Sequence, residues 1–361
     1  MRITARGIGL LLAVGLAAAY AAWRPVLAVT RRADPDRVTR GESSRMTLTV
    51  RNTGRFGSAT LIAHDRCGPT TVPVPVLRLR PGHDTVTEYP VPTTRRGVVP
   101  VGPLRIVRRD ALGLAKVARA HGDVADVWVY PKVHLLSAVP VGVVRSLDGR
   151  VDRVPHGSIT FDTLREYVVG DELRHVHWRT TARIGELMVR EHVDTSLPRL
   201  VVLLDDRLSA HPGAVDGTAD SFEAACEAAA SIIVAAQREE LPIALQTVSG
   251  EVVGGDGRRT VHARPYLDLL AQADLRHDGD DMVRAVARLR HRRPGDTLVV
   301  LTGPGTAEDL GLVGSLRGAY PSIVVGTLGG GSHPSTVEGV TVLAASDGAD
   351  FAAEWDGVRA W

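Results

Sequence analysis

Residues 164–192 read LREYVVGDELRHVHWRTTARIGELMVREH. They hold five arginines, five carboxylates and three histidines around one tryptophan, Trp178. His175 and His177 stand one residue apart, so on a strand their side chains share a face, an acceptable start for a metal centre. Asp171, Glu172 and His192 are the nearest further ligands in sequence. Arg165, Arg174, Arg179, Arg183 and Arg190 argue for a different chemistry. Bidentate arginine–carboxylate pairs account for such a composition without a metal, and no zinc-type ligand spacing is present. A metal-dependent hydrolase using the His175/His177 region is one reading of the segment. Ser158 and Ser196 lie in no nucleophile-elbow context, so a Ser-His-Asp centre has no support.

A second candidate follows the apolar run RLVVLL. Asp205-Asp206-Arg207-Leu208-Ser209 offers an acid and a hydroxyl where a buried strand would end, and Thr302 closes another such run. Asp205, Ser209 and Thr302 are the candidate ligands for magnesium, a cation that takes oxygen donors. Arg207 stands in the middle of the spacing, and a cation beside a cation is unfavourable. GPGTAEDLG (303–311) and GTLGGGSHPS (326–335) look like phosphate loops but lack the lysine and hydroxyl that carry nucleotide binding. No catalytic residue and no cofactor is expected; magnesium is the one ion the pattern admits.

These residues need elements to position them. The 361 residues are 44% hydrophobic and 23% charged, ordinary globular material long enough for two folded units. From about Val38 to Tyr130 the pattern has period two, as in RMTLTVRN (45–52). Turn signals at Asn52-Thr53-Gly54, Pro81-Gly82, Arg96-Gly97 and Gly102-Pro103 punctuate it, which predicts a β-sandwich. From Pro198 short apolar runs alternate with helical patterns such as ADSFEAACEAAASIIVAAQRE (219–239), which predicts a doubly wound, mostly parallel sheet. Ligands in such sheets bind at the carboxyl ends of strands, here Asp205–Ser209 and Leu301–Gly305.

Residues 7–23, GIGLLLAVGLAAAYAAW, carry no charge and approach the length of a membrane span. Ala19-Tyr20-Ala21 also offers a leader-type cleavage site. Residues 1–60 hold ten arginines against three acids, Asp34, Asp36 and Glu42. That charge fits an anionic membrane surface and a cytoplasmic body. Trp23-Arg24-Pro25 could turn a short hairpin, with Val26-Leu27-Ala28-Val29 starting the return. Aromatics at 4% are too few for a nucleic-acid stacking platform. The two cysteines, Cys67 and Cys226, form no CxxC pair, and Cys226 falls in an apolar helical pattern.

Read as a spaced pattern, residues 164–191 resemble the bacterial domain of unknown function 58 family. The resemblance falls on Arg165, Glu166, Tyr167, Gly170, Asp171, Arg174, His177, Trp178, Arg179, Ala182, Arg183, Gly185, Leu187, Arg190 and Glu191. It extends upstream to RRGVVPVGPLRIVRRDALGL (95–114) and VWVYPKV (127–133). The family resemblance implies a von Willebrand factor A-like domain after the motif, and a partnership with MoxR-type AAA+ ATPases at a bacterial membrane. The family's metal-adhesion pattern Asp-x-Ser-x-Ser is altered here: Arg207 replaces its first serine, and Gly303 stands where a later aspartate is expected.

The expected fold is therefore α+β and multidomain. Residues 1–29 form a membrane anchor, single-pass or a short hairpin, and residues 30–130 an Ig-like β-sandwich. Residues 131–197 join the domains through arginine–carboxylate pairs and the Trp178 indole, and residues 198–361 form the doubly wound von Willebrand factor A-like domain. The expected function is a membrane-anchored, non-enzymatic binding or adaptor protein. It contacts lipid through residues 7–23, presents its soluble domains to the cytoplasm, binds proteins such as a MoxR-type ATPase, and takes no nucleic acid. An exported metal-dependent adhesion protein is the alternative from a second class.

Overall fold

The computed structural model describes residue 15 and residues 26–54, 59–80, 82–109, 116–140, 144–145, 151–152, 162–167, 176–192, 199–215, 217–255, 262–277, 281–292, 295–304, 309–330 and 339–358. The chain divides into two compact units, Met1–Pro131 and Lys132–Trp361.

The first unit is built from strands. They are β1 (Leu27–Asp34), β2 (Arg37–Thr39), β3 (Ser44–Asn52), β4 (Ala59–Cys67), β5 (Thr70–Leu79), β6 (Asp84–Val91), β7 (Gly97–Val101), β8 (Leu104–Arg109), β9 (Lys116–His121) and β10 (Ala125–Tyr130). One sheet has the order β1-β3-β6; the other runs β2-β10-β7-β4-β8-β9, with β5 paired to β4. In β3 every second residue is buried, so Met46, Leu48 and Val50 enter the core while Arg45 and Arg51 stay out. They share one core with Ala63, Cys67, Val101, Leu104, Ile106 and Val127 of the other sheet, which makes the unit a two-sheet sandwich.

A buried polar knot ties the sandwich. Arg31 of β1 grips Asp65 of β4, Nε to Oδ2 at 3.0 Å and Nη2 to Oδ1 at 3.1 Å. Tyr89 of β6 donates to Asp65 Oδ2 at 2.6 Å, and Arg31 Nη1 donates to the Asp123 carbonyl at 2.7 Å. Gly122, at φ +73°, lies so close that a Cβ there would stand 2.8 Å from Arg31 Nη1. Only glycine combines that conformation with that approach.

The second unit opens with residues 132–140, which run along its later helices: Arg238 donates to the Leu136 carbonyl and Trp355 Nε1 to the Ala138 carbonyl at 2.8 Å. Two ribbons follow, β11 (Val144–Arg145) with β12 (Val151–Asp152), and β13 (Asp162–Glu166) with β14 (Met188–His192); helix α1 (Trp178–Ile184) lies between the strands of the second. The main sheet contains β15 (Leu200–Leu204), β16 (Ile243–Thr247), β17 (Val252–Gly254), β18 (Thr297–Thr302), β19 (Ser322–Leu328) and β20 (Thr341–Ala345). Its order is β17-β16-β15-β18-β19-β20, all parallel except β17.

Helices α2 (Asp220–Arg238), α3 (Arg264–Gln272), α4 (Asp281–Arg292), α5 (Asp309–Gly314) and α6 (Gly348–Gly357) complete the unit. All of β15 is buried, and its residues alternate between two cores. Leu200, Val202 and Leu204 pack with Phe222, Ile233 and Trp355. Val201 and Leu203 pack with Met282, Val286, Leu289 and Val313 on the other face. Burial on both faces explains why β15 reads as a continuous apolar run. Helix α2 is alanine-rich along its length, so it can lie deep against the sheet.

The expected fold class is corrected in one respect. The protein is a mixed α+β chain, and no helix among the described residues is long and apolar enough to cross a membrane. Of residues 7–23, only Gly15 is described. Val26-Leu27-Ala28-Val29 does not begin a returning helix. Leu27–Asp34 pairs antiparallel with β3, from Leu27 opposite Asn52 to Asp34 opposite Arg45. The reason is its period: residues alternate half-buried and exposed, and Arg31 points inward to a buried carboxylate.

Candidate functional site

The carboxyl ends of β15 and β18 are neighbours, Leu204 lying opposite Leu301. This register brings Asp205 and Thr302 together, and Thr302 Oγ1 donates to Asp205 Oδ2 at 2.8 Å. The third expected member, Ser209, is exposed on a 3-10 turn (Leu208–Ala210). Arg207 fills the place between them. Its Nε donates to Asp205 Oδ1 at 2.9 Å and its Nη2 to Asp205 Oδ2 at 2.7 Å, a bidentate fork. Nη2 also donates to Asp309 Oδ2 at 2.6 Å, reaching the first turn of α5. Its bonds to Asp205 above all hold the guanidinium in its charged form, against the cost of burial.

The neighbouring groups complete the crevice. His211 is fully buried, Nδ1 2.9 Å from Ser221 Oγ and Nε2 2.9 Å from the Asp205 carbonyl. Since the carbonyl only accepts, the proton sits on Nε2, and Nδ1 accepts from Ser221. Burial pushes the imidazole below its ordinary value, so the neutral ring is favoured. The serine and histidine touch, but the third partner is a carbonyl and the ring has no solvent exposure; the geometry makes this a packing cluster. Asp206 turns the other way and accepts from Ser249 N–H at 2.9 Å; burial pushes its carboxyl up. Gly303 lies against this cluster. A Cβ there would overlap the Ala210 carbonyl and stand 2.7 Å from His211 Nδ1. An aspartate side chain would collide there.

The charged 164–192 segment folds on itself. Glu166 pairs with Met188, Leu164 with Arg190 and Thr163 with Glu191 across the ribbon. Tyr167 N–H donates to the Leu187 carbonyl and His177 N–H to the Met188 carbonyl. His177 is the N-cap of α1: its Nδ1 accepts from Thr180 N–H at 3.3 Å and lies 2.7 Å from the Thr180 hydroxyl. That ring nitrogen is spent on the helix. Gly185 ends α1 at φ +87° with its N–H on the Thr181 carbonyl, the left-handed turn glycine tolerates best. Gly170, Asp171, Glu172, Arg174 and His175 lie outside the described residues, as do the side chains of Arg165, Glu166, Arg190, Glu191 and His192. Arg179 and Arg183 are exposed. Trp178, expected to help pack the segment, is 63% exposed. No group of three or more His, Cys, Asp or Glu among the described residues is placed to hold a metal ion.

Sequence reasoning missed Asp309, His211 and Ser221 as members of the strand-end cluster. The one local signal was Arg207 itself, a cation set between acids that needed a partner.

Fold and site together describe a two-unit α+β protein whose strand-end crevice is filled by its own side chains. Residues 163–311, from the arginine-rich ribbon to the start of α5, match the family described as protein of unknown function DUF58. A search of curated proteins gives no match. Among solved structures, the CARDB domain of a Pyrococcus furiosus protein, crystallised with di-metal ions, is 18% identical over 29% of this chain and 93% of that one, with a TM-score of 0.24. Cwp6 from Clostridium difficile is 11% identical over 91% of this chain and 56% of that one, with a TM-score of 0.19.

Proposed function

We propose that the protein is a non-enzymatic adaptor that binds other proteins through the 164–192 segment, and that its partner is a MoxR-type AAA+ ATPase in the cytoplasm. The observation that carries this reading is α1. It has no buried residue, and Trp178 (63% exposed), Ile184 (57%) and Leu187 (40%) present apolar surface around it. Clustered exposed apolar residues mark interaction surfaces, and tryptophan and arginine are the residues that most often anchor them. Arg179 and Arg183, four residues apart on the same helix, give the surface a positive charge that suits an acidic partner. The class of partner comes from the family resemblance. The reading also takes the second unit as von Willebrand factor A-like, which its parallel sheet and the meeting of Asp205 with Thr302 support.

The test is capture from native lysate with the tagged full chain, followed by identification of the ATPase and repetition with ATP and with ADP. Wild-type chain retains a MoxR-type ATPase and Trp178→Ala loses it. Equal retention by both, or no AAA+ protein with either nucleotide, overturns the proposal.

A further inference from the structure

We infer that the Arg207 guanidinium is the built-in cation of the β15–β18 strand-end site, standing where a divalent ion would otherwise sit and making the site independent of metal. The inference rests on the geometry of the crevice and stands apart from the adaptor reading.

Asp205 is the centre of the site and has no solvent exposure. An ionised carboxylate has about four lone-pair positions. All four are used here. Oδ1 accepts from Arg207 N–H at 3.2 Å and from Arg207 Nε at 2.9 Å; Oδ2 accepts from Arg207 Nη2 at 2.7 Å and from Thr302 Oγ1 at 2.8 Å. A metal ion could reach Asp205 only by displacing a guanidinium that is itself mostly buried and held by a second carboxylate, Asp309. Displacement would leave the mostly buried guanidinium without its carboxylate partner, which is strongly unfavourable.

The arrangement is that of a cation site in every other respect. Two carboxylates from separate elements converge on one positive group, and the Thr302 hydroxyl bonds the first of them. Asp309 lies 102 residues from Arg207, and Thr302 lies 97 from Asp205. The cation joins the end of β15 to the first turn of α5. A divalent ion would do this through exchangeable bonds and would release the two elements when removed. A covalently attached guanidinium cannot leave, so the link persists in chelator. Gly303 is closed to any side chain, so no further carboxylate enters from that position.

Truncating the arginine should therefore uncover the site. Arg207→Ser leaves Asp205 and Asp309 around the vacated space, with Thr302 beside Asp205, and adds a hydroxyl to an all-oxygen donor set, the kind that hard divalent cations take. Manganese serves as probe, by calorimetric titration and by the electron paramagnetic resonance signal of the free ion. Wild-type protein is expected to take up none. Arg207→Ser is expected to bind one equivalent with a dissociation constant of about 1 mM or tighter. Adding Asp205→Asn to that variant should weaken binding at least tenfold. Binding by the folded state alone should also raise the melting temperature of Arg207→Ser, and not that of wild type, when manganese is added. Should Arg207→Ser not fold alone, refolding with manganese replaces the titration, and recovery of structure supports the inference. Stoichiometric manganese binding by wild type overturns it. So does a folded Arg207→Ser that takes no ion, or an unfolded one that manganese does not restore.

Discussion

Tyr89 donates a 2.6 Å hydrogen bond to Asp65, a carboxylate with no solvent exposure that Arg31 grips from the other side. Three strands from both sheets of the sandwich thus meet at one buried charge. Tyr89→Phe removes one donor to a charged group and should destabilise the first unit by about 1.5–3 kcal/mol. Asp65→Ala strands the Arg31 guanidinium in the core and should cost about 3–5 kcal/mol. Chemical denaturation followed by circular dichroism measures both. A Tyr89→Phe protein as stable as wild type would remove the knot as a stabilising feature.

Both cysteines are buried, and neither forms a disulfide. The Cys67 thiol is pushed up to about 11, by burial first and then by the nearby Asp65 charge. At pH 8 little of it is thiolate, the reactive form. A thiol-specific chromophore should report near-zero fast labelling of native protein and two equivalents in denaturant.

His211 predicts a pH dependence with a definite sign. Burial lowers its folded-state pKa below the ordinary 6.5, helped by the Arg207 charge and opposed by its bond to the Asp205 carbonyl and the Asp205 charge. The unfolded chain therefore takes up the proton first. The stability this group contributes is present above pH 6.5 and is lost as the pH falls from there through the folded pKa. His121, lowered chiefly by burial, acts with the same sign in the first unit. Asp206, raised chiefly by burial, acts with the opposite sign, since its protonation favours the folded state. Melting temperatures between pH 7.5 and about 5.5 should fall for wild type and fall less for His211→Gln. An identical slope in the two proteins would contradict this account.

Gly303 and Gly311 separate packing from helix propensity. A Cβ at Gly303 meets the Ala210 carbonyl and His211; at Gly311, within α5, it meets nothing within 4 Å. Gly303→Ala should destabilise by about 1–3 kcal/mol through forced backbone shifts. Gly311→Ala should be neutral or stabilising by about 0.5–1 kcal/mol. Thermal denaturation of the pair decides whether the crevice is as tightly closed as described.

The Trp178 indole gives the corresponding control at the surface. Truncating a side chain this exposed should change stability by less than about 0.5 kcal/mol. A larger loss in Trp178→Ala would mean that the helix is a structural element first, and its effect on partner capture would then need the milder Trp178→Phe.

What could be read from the sequence was local. The alternation in Arg45–Asn52 is a property of neighbouring residues, so β3 was legible; so was the apolar run that becomes β15, and so was the spacing from Arg165 to Glu191 that marks the family. One form of the anchor expectation, the short hairpin, took Val26–Val29 as the start of its return, because four apolar residues have no period of their own. Only pairing with β3, and Arg31 reaching Asp65, made them part of a strand. The strand-end site shows the same division. The sequence by itself placed Arg207 among acids and left a cation beside a metal pattern as a conflict. The tertiary structure resolved it, since sheet register and the α5 turn bring Thr302 and Asp309 to that arginine from about a hundred residues away. Convergence over such distances is set by which strands pair and where helices begin, and no periodicity along the chain records it.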